Sequence, residues 1–161
     1  ISENESNVWL LGYWKRDWKS SWEVHSMINN VIAGIAIALN QEFGDDYEIY
    51  TEEIKQDLKE PCFFITLLNP SKTDFPSKRY LMDNPFCIQY FPESEDNPNS
   101  ECRDVADRML WALENITPLD ADRPVRGTDM HHEITDGVLN FFVNYNYFVR
   151  KVETPAPLRK L

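Results

Sequence analysis

The segment EITDGVLNFFVNYNYFV, residues 133–149, gives the clearest indication of the fold in this sequence. Its Asp136-Gly137 pair is the dipeptide most typical of a two-residue turn between antiparallel strands. From Leu139 to Val149, apolar or aromatic residues occupy every second position, and asparagine occupies most of the positions between them. This alternation predicts a strand with one face in the core and the other in water or against a partner. We therefore predict a hairpin with arms at residues 129–135 and 138–152.

Two segments with helical spacing lie upstream of this hairpin. Between Ile28 and Phe43, apolar residues recur at helical intervals, and Gly44 follows where a helix would end. Between Cys102 and Ile116 the same spacing returns with charged residues on the opposite side, and Pro118 marks the end of the pattern. We predict one amphipathic helix in each segment.

Three further strands are predicted between the two helices. Residues 47–51 alternate as a half-buried strand does, whereas residues 62–68 are apolar on both faces, which predicts a strand covered on both sides in the middle of a sheet. Residues 79–91 form the third strand, with a bulge or bend at Asn84-Pro85, and the proline-bearing segment 69–78 is predicted to be a loop. The order α-β-β-β-α-β-β predicts an α+β fold, with an antiparallel or mixed sheet of about five strands and two helices packed on it.

The composition favours one folded domain and argues against two classes of partner. The chain has 161 residues, of which 42% are hydrophobic, and this suffices for one sizeable core. Its net charge of −11 is opposite in sign to a surface that neutralises phosphates, so we expect no nucleic-acid specificity. The longest apolar run, Val31–Leu39, is interrupted by Gly34 and is too short to cross a bilayer. We therefore expect a soluble, intracellular protein with no membrane partner.

Residues 1–26 differ from the rest of the chain. They contain four of the five tryptophans and begin at Ile1 rather than at a methionine. The codons for Trp22-Glu23-Val24 contain the bacterial ribosome-binding sequence GGAGGT if one purine is G, and only two residues separate them from Met27. We therefore interpret residues 1–26 as translated upstream DNA that is not part of the fold and adds no strand.

This interpretation divides the chain into an extension, a domain at residues 27–152, and a C-terminal tail at residues 153–161 that is predicted to be mobile. The alternative for the extension is a recognition helix, because Trp14, Trp18 and Trp22 recur every four residues and would share one face.

The sequence contains one cluster that resembles a chemical site, His131-His132-Glu133. Adjacent residues in a strand point to opposite faces, so the two histidines cannot hold one metal ion from a regular strand, and their spacing matches no zinc motif. The cysteines show no metal-binding spacing and are predicted to be buried free thiols; they are Cys62, Cys87 and Cys102. We predict no catalytic residue, no metal site and no cofactor. A small metal-dependent enzyme that uses the histidine cluster is the alternative from another functional class.

Three groups of residues, in this order and spacing, carry a family resemblance. They are 28–43; then 49–52, 56–65 and 86–92; and finally 133–141 with 145–149. Together they resemble the tail terminator family of contractile-tailed phages and defective prophages of Gram-positive bacteria. One departure is Asp57, where the family favours glycine after the glutamine. Aspartate also tolerates turn conformations, so this departure does not threaten the fold.

The resemblance implies a structural protein of the phage virion and no enzymatic activity. It implies a ring of copies of this chain, usually a hexamer, that binds the last ring of tail tube protein, stops its polymerisation and presents a surface to the head or neck connector protein. Such a ring belongs to the virion tail and would be assembled in the cytoplasm of the bacterial host. The alternative is a head-completion or neck connector protein of the same assembly, which would share size, acidity and architecture.

Two groups of residues are candidates for contacts with other subunits or with the tube. The outer face of the last predicted strand mixes aromatic and amide side chains, as interfaces do, although a solvated face would have the same pattern. Its residues are Asn140, Phe142, Asn144, Asn146 and Phe148. The second group consists of positive charges in an otherwise acidic chain, which would attract a neighbouring ring of opposite charge. Its residues are Lys72, Lys78 and Arg79.

Overall fold

The computed structural model describes residues 13–17, 23–51 and 57–152. The described elements, in chain order, are β1 (Tyr13–Asp17), α1 (Glu23–Phe43), β2 (Glu48–Tyr50), β3 (Cys62–Leu67), β4 (Ser71–Phe75), β5 (Arg79–Asp83), β6 (Pro85–Phe91), α2 (Pro98–Ala112), β7 (Asn115–Ile116), β8 (Val125–Thr135), β9 (Val138–Tyr145) and β10 (Tyr147–Val152). Neither described helix is long and apolar enough to span a membrane.

Six of the strands form one mixed sheet in the order β2-β3-β6-β9-β8-β7. The β2–β3 pair is parallel, and the other neighbours are antiparallel. The remaining described strands form a second sheet in the order β1-β10-β5-β4. The predicted α+β class is confirmed, although the strands form two sheets where the sequence predicted one.

The hairpin predicted from Asp136-Gly137 joins β8 to β9. Both turn residues have positive φ angles, 52° and 74°, as a tight turn of this kind requires, and Thr135 pairs with Val138 on either side. The predicted alternation is also confirmed, because the core positions in this arm are each at most 8% exposed. These positions are Leu139, Phe141, Val143, Tyr145, Tyr147 and Val149.

Two long strands of the sequence prediction each divide between the two sheets. The strand predicted at residues 79–91 becomes β5 and β6, and Asn84 lies at the bend, where the Asn84-Pro85 pair had indicated one. The arm predicted at residues 138–152 likewise becomes β9 and β10, with Asn146 between them. The continuous strand pair therefore crosses from the larger sheet into the smaller one.

Asparagine side chains supply hydrogen bonds at this crossing. Asn84 is 1% exposed, and its Nδ2 donates to the carbonyl oxygen of Tyr145 at 3.2 Å. The backbone N–H of Asn84 donates to Oδ1 of Asn146 at 3.4 Å, and Asn144 donates to the carboxylate of Asp83. The bond from Asn84 satisfies the buried carbonyl of Tyr145 where the regular ladder is interrupted, because an unpaired backbone group in the interior would be costly.

The prediction of a loop at residues 69–78 is wrong, because residues 71–75 form β4, which pairs antiparallel with β5. Pro70 and Pro76 lie just outside the strand at its two ends, so neither removes a donor from it. Ser77 and Lys78, both with positive φ, make the turn into β5. The two prolines flank a hairpin arm rather than interrupt it.

The prediction that residues 1–26 add no strand is wrong at residues 13–17. These residues form β1, which pairs parallel with β10, and α1 begins at Glu23, four residues before Met27. Residues 1–12 and 18–22 lie outside the described part of the chain, as does the tail at 153–161. The proposed natural start at Met27 stays a prediction.

Both described helices pack on the same face of the six-stranded sheet. Val31, Ile35 and Leu39 of α1 join one buried cluster with residues of α2, including Val105 and Met109. Gly34 permits a close approach, because a Cβ at this position would lie 2.7 Å from the carbonyl oxygen of Thr117. The helix layer and the sheet therefore form a single hydrophobic core.

Glu101, in the first turn of α2, holds the segment that precedes the helix through hydrogen bonds. Its carboxylate accepts hydrogen bonds from the Tyr90 hydroxyl at 2.6 Å and from the backbone N–H groups of Glu93 and Ser94 at 3.0 and 2.9 Å. Burial on its own would raise the pKa of Glu101, but these hydrogen bonds to the charged form outweigh it and lower the pKa below the ordinary 4.5.

We expect Glu101→Gln to destabilise the protein by about 2 kcal/mol near neutral pH, because the amide has one acceptor oxygen where the carboxylate has two, so at least one of the three hydrogen bonds is lost and the others lose their charge. A carboxylate with a lowered pKa stabilises the folded state above its unfolded pKa, and this stabilisation is lost as the pH falls through the folded value. The difference in free energy of unfolding between wild type and variant should therefore be smaller at acidic pH. Urea unfolding at about pH 7 and about pH 3 measures it. The exposed Glu95→Gln serves as control, and a difference that grows in acid would contradict the assignment.

Candidate assembly surfaces

The face of the six-stranded sheet opposite the helices carries a mixed aromatic and polar surface. Phe63, Ile88 and Phe141 point into the core, so their neighbours along each strand point to the other side. Both described helices lie on the core side. We call the opposite side the open face, and define it by Phe64, Thr66, Cys87, Gln89, His131, Glu133, Asn140 and Phe142, of which Cys87 is buried.

The strand register arranges the open face in two rows. One row runs Phe64, Gln89, Asn140, Glu133, and the other runs Thr66, Cys87, Phe142, His131. Within the first row, Nε2 of Gln89 donates to Oδ1 of Asn140 at 3.0 Å. Within the second, the His131 ring stacks on Phe142 with centroids 4.8 Å apart and planes 15° apart. These contacts link neighbouring side chains across the strands of the open face.

The structure places only part of the predicted contact group on this surface. Asn140 and Phe142 lie on the open face, whereas Asn144 and Asn146 form the hydrogen bonds at the crossing between the sheets. Phe148 lies in the four-stranded sheet, where its ring meets Phe75 edge-on at 5.5 Å. The predicted aromatic and amide group therefore divides among three places.

The predicted basic group also separates. Lys72 pairs in register with Met82, and its ammonium lies 3.7 Å from Asp74 and 4.7 Å from the centre of the Tyr80 ring. Arg79 belongs to the opposite side of β5, and its Nε donates to the carbonyl oxygen of Pro76 at 3.1 Å, so it closes the turn of the hairpin. Lys78 lies within that turn. Lys72 is the member of this group that lies on the edge strand β4.

The sequence prediction missed Phe64 and Gln89 on the open face. The segment that contains Phe64 was predicted to be covered on both sides because it is apolar throughout. In the structure Phe64 keeps part of its surface exposed and lies outside the buried core, near the Tyr50 ring at 6.5 Å. An apolar run in a strand can thus include a partly exposed outer face as well as a covered one.

Exposed apolar side chains also occur in the helix layer and in the loop that follows α2. Trp111 of α2 is 78% exposed, and Ile37 of α1 and Leu119 are 44% and 46% exposed. In the same layer, Nε of Arg108 in α2 donates to the carboxylate of Glu42 in α1 at 2.9 Å, and this ion pair links the two helices. A tryptophan this exposed on a helix is typical of contact hot spots, and nothing in the sequence pattern indicated a role for it.

The two adjacent histidines of the cluster His131-His132-Glu133 do not converge on one site. His131 and His132 stack on Phe142 and Phe141, which point to opposite faces, so the predicted alternation of the two histidines is confirmed. Among the described residues there is no group of three or more His, Cys, Asp or Glu side chains that could hold a metal ion. The absence of a metal and of a cofactor stays a prediction for the whole chain.

The three cysteines are free and buried, as predicted. Burial raises the pKa of the Cys62 thiol to about 11, and the nearby charges of Glu60 and Glu48 add to this effect. Burial also raises the pKa values of Cys87 and Cys102. Because the thiolate is the nucleophilic form, these thiols are inert near neutral pH.

Asp57, the residue that departs from the family's preferred glycine, has a φ angle of 57°. This is the left-handed conformation that glycine adopts freely and that aspartate tolerates better than most residues. The backbone therefore retains the conformation for which glycine would be preferred, and the departure does not disturb the fold.

Comparison with known proteins identifies the family of this chain. A family model described as phage tail terminator protein matches residues 30–157. This range includes α1 from Asn30 onward, α2, and both sheets apart from β1. A comparison with curated proteins finds no match. Because the family match covers most of the chain, the chain belongs to the phage tail terminator family and is a structural component of phage tails.

Proposed function

We propose that this protein caps the tail tube, stops its polymerisation and joins the finished tail to the head or neck connector. It acts as a ring of identical copies, a hexamer by analogy with the family, which assembles in the cytoplasm of the bacterial host. Membership of the tail terminator family supports the general role. The composition of the open face is the observation that supports a contact with the tube protein.

The open face has the composition of a specific protein contact. It combines the aromatic rings of Phe64 and Phe142 with the amides of Gln89 and Asn140, and its side chains already contact one another. Interfaces enriched in aromatic residues and hydrogen-bonding groups bind without large losses of side-chain entropy when the groups are preorganised. We assign the last ring of tube protein to this face.

A cap between tube and head needs a second contact surface directed away from the first. The helix layer lies on the other side of the same sheet, and Trp111 projects from it with most of its side chain exposed. We assign the connector protein to this helical surface. Self-association into a closed ring adds a third contact, which must be heterologous, because a ring with more than two members joins one surface to a different one.

The proposal includes no chemical step, no cofactor and no nucleic-acid contact. Tube length distinguishes a terminator from the alternative, a neck connector protein, because a neck connector protein would bind on the head side without shortening the tubes. The alternative of a small metal-dependent enzyme has no supporting arrangement among the described residues, whose two adjacent histidines point to opposite faces.

The test is polymerisation of the cognate tube protein with and without this protein, followed by electron microscopy of tube lengths and ends. We expect shorter tubes, each with an added ring of density at one end. Unchanged tube lengths without end density would refute capping. If the protein then bound the connector protein, the neck assignment would replace the terminator assignment.

A further inference from the structure

The β4 strand is an exposed edge strand. It is the last strand of its sheet, pairs only with β5 among the described strands, and all five of its residues are exposed. No proline interrupts residues 71–75, and the strand ends in Phe75, which is 39% exposed. The outward backbone N–H and C=O groups of such a strand are available to another strand.

A second edge of similar length lies along β8. This strand has 11 residues, but β7 pairs only with Val125 and Arg126 on its outer side. The pairing with β9 is irregular between Thr128 and His131, and it becomes regular again from His131 to Thr135. Within the described part of the chain, the outer edge of residues 131–135 has no neighbouring strand, and it matches the five residues of β4 in length.

We propose that β4 of one copy adds to the outer edge of β8 in the next copy, as an antiparallel strand across the subunit boundary. This inference rests on the proposed ring and names the contact that closes it. The two edges belong to different strands of the chain, so each copy offers one edge and accepts the other. Such head-to-tail pairing forms a ring when the rotation between copies closes.

The side chains along the two edges are complementary in one register. When Thr73 lies opposite His132, Lys72 faces Glu133 and Asp74 faces His131. In each strand these two residues are separated by one position, so both pairs lie on the same side of the joined sheet. Lys72 already forms an exposed bridge with Asp74 within its own strand, and the new strand would give each of them a partner across the boundary.

The joined sheet also explains why a lysine and a glutamate lie at these edges. Isolated edge strands with charged side chains resist unspecific pairing, whereas opposite charges on two different edges favour one partner and one register. Glu133 belongs to the open face, so the added strand would extend that face from one copy to the next.

Cross-linking between two different variants tests this contact. A Thr73→Cys variant is mixed with a His132→Cys variant, in the presence and absence of tube protein, and treated with a short thiol-specific cross-linker. Both positions are exposed, whereas the three native cysteines are buried. A product that contains one copy of each variant can arise only between chains. The control replaces His132→Cys by Thr117→Cys, which is exposed beyond α2.

We expect the yield of mixed cross-linked product from positions 73 and 132 to be clearly higher than the yield from the control pair at positions 73 and 117. Lys72→Glu should reduce it roughly fivefold, since this is the upper range for one cross-strand charge pair, and the double variant Lys72→Glu with Glu133→Lys should restore it. A yield equal to the control, or a double variant as weak as the single one, would overturn the strand pairing.

Tube lengths measured on the same samples separate the two proposals. Normal capping without the cross-link refutes the strand pairing and leaves the proposed function intact. The cross-link without capping supports the pairing and refutes the terminator function. Loss of both refutes both.

Discussion

Replacement of Phe142 by aspartate is expected to abolish tube capping while the domain stays folded. Phe142 lies at the centre of the open face, between Cys87 and His131 in its row, and its ring stacks on the His131 ring. Central aromatic residues of interfaces contribute about 3 kcal/mol, so the affinity for the tube end should fall by more than about 100-fold. The cost to folding should be about 1 kcal/mol, because the side chain lies outside the buried core.

A matched control comes from the next residue in the same strand. Val143 is 2% exposed and points to the helices, so Val143→Ala should cost about 2 kcal/mol of stability and leave capping intact. Capping is measured by electron microscopy of tube lengths, and stability by urea unfolding. If Phe142→Asp capped normally, or if Val143→Ala failed equally, the open face would not be the tube contact.

The elements that sequence predicted well are those in which the core itself imposes a periodicity. The hairpin around Asp136-Gly137 is an example, because the turn needs two positive φ angles and the strand needs an apolar residue at every second position. Both helices were predicted for the same reason, but the pattern that was predicted to continue to Ile116 runs past the end of α2 at Ala112 into β7. The class of the fold follows from the order of these elements.

The division into two sheets could not be predicted in the same way. Residues 79–91 and 138–152 retain the strand period through the crossing. The Asn84-Pro85 pair indicated a bend in the first of them, but not that the strand passes into a second sheet there. β4 escaped prediction because all of its residues are exposed, so no burial constrains its pattern. Local composition, with prolines at both ends, favoured a loop there.

The candidate surfaces depend still more on distant parts of the chain. Phe64 and Phe142 are far apart in sequence, and two intervening strand pairings bring them to one face. Asn140 and Phe142 were predicted from their own strand, but their neighbours on the open face come from β3, β6 and β8. A contact surface of this kind is defined by register, which the sequence of a single strand does not contain.

Trp111→Ala is the second substitution for which we expect a large effect, this time on the joining of tails to heads. Trp111 is 78% exposed on α2, so the folded domain loses little packing when it is removed, and alanine favours the helix. The free energy of unfolding should change by less than about 0.5 kcal/mol. If the helical surface receives the connector protein, the loss of a tryptophan hot spot should weaken that binding by about 3 kcal/mol, or more than about 100-fold.

The measurement is in vitro joining of capped tails to heads, counted by electron microscopy, together with the affinity of the purified protein for the connector protein. Arg103→Ala, at another exposed position of α2, is the control and should join normally. Because the open face lies on the other side of the sheet, Trp111→Ala should still shorten tubes. Loss of capping with intact joining would show that the helix layer meets the tube, and would exchange the two assignments. Unchanged capping and joining would instead mean that Trp111 contacts neither partner.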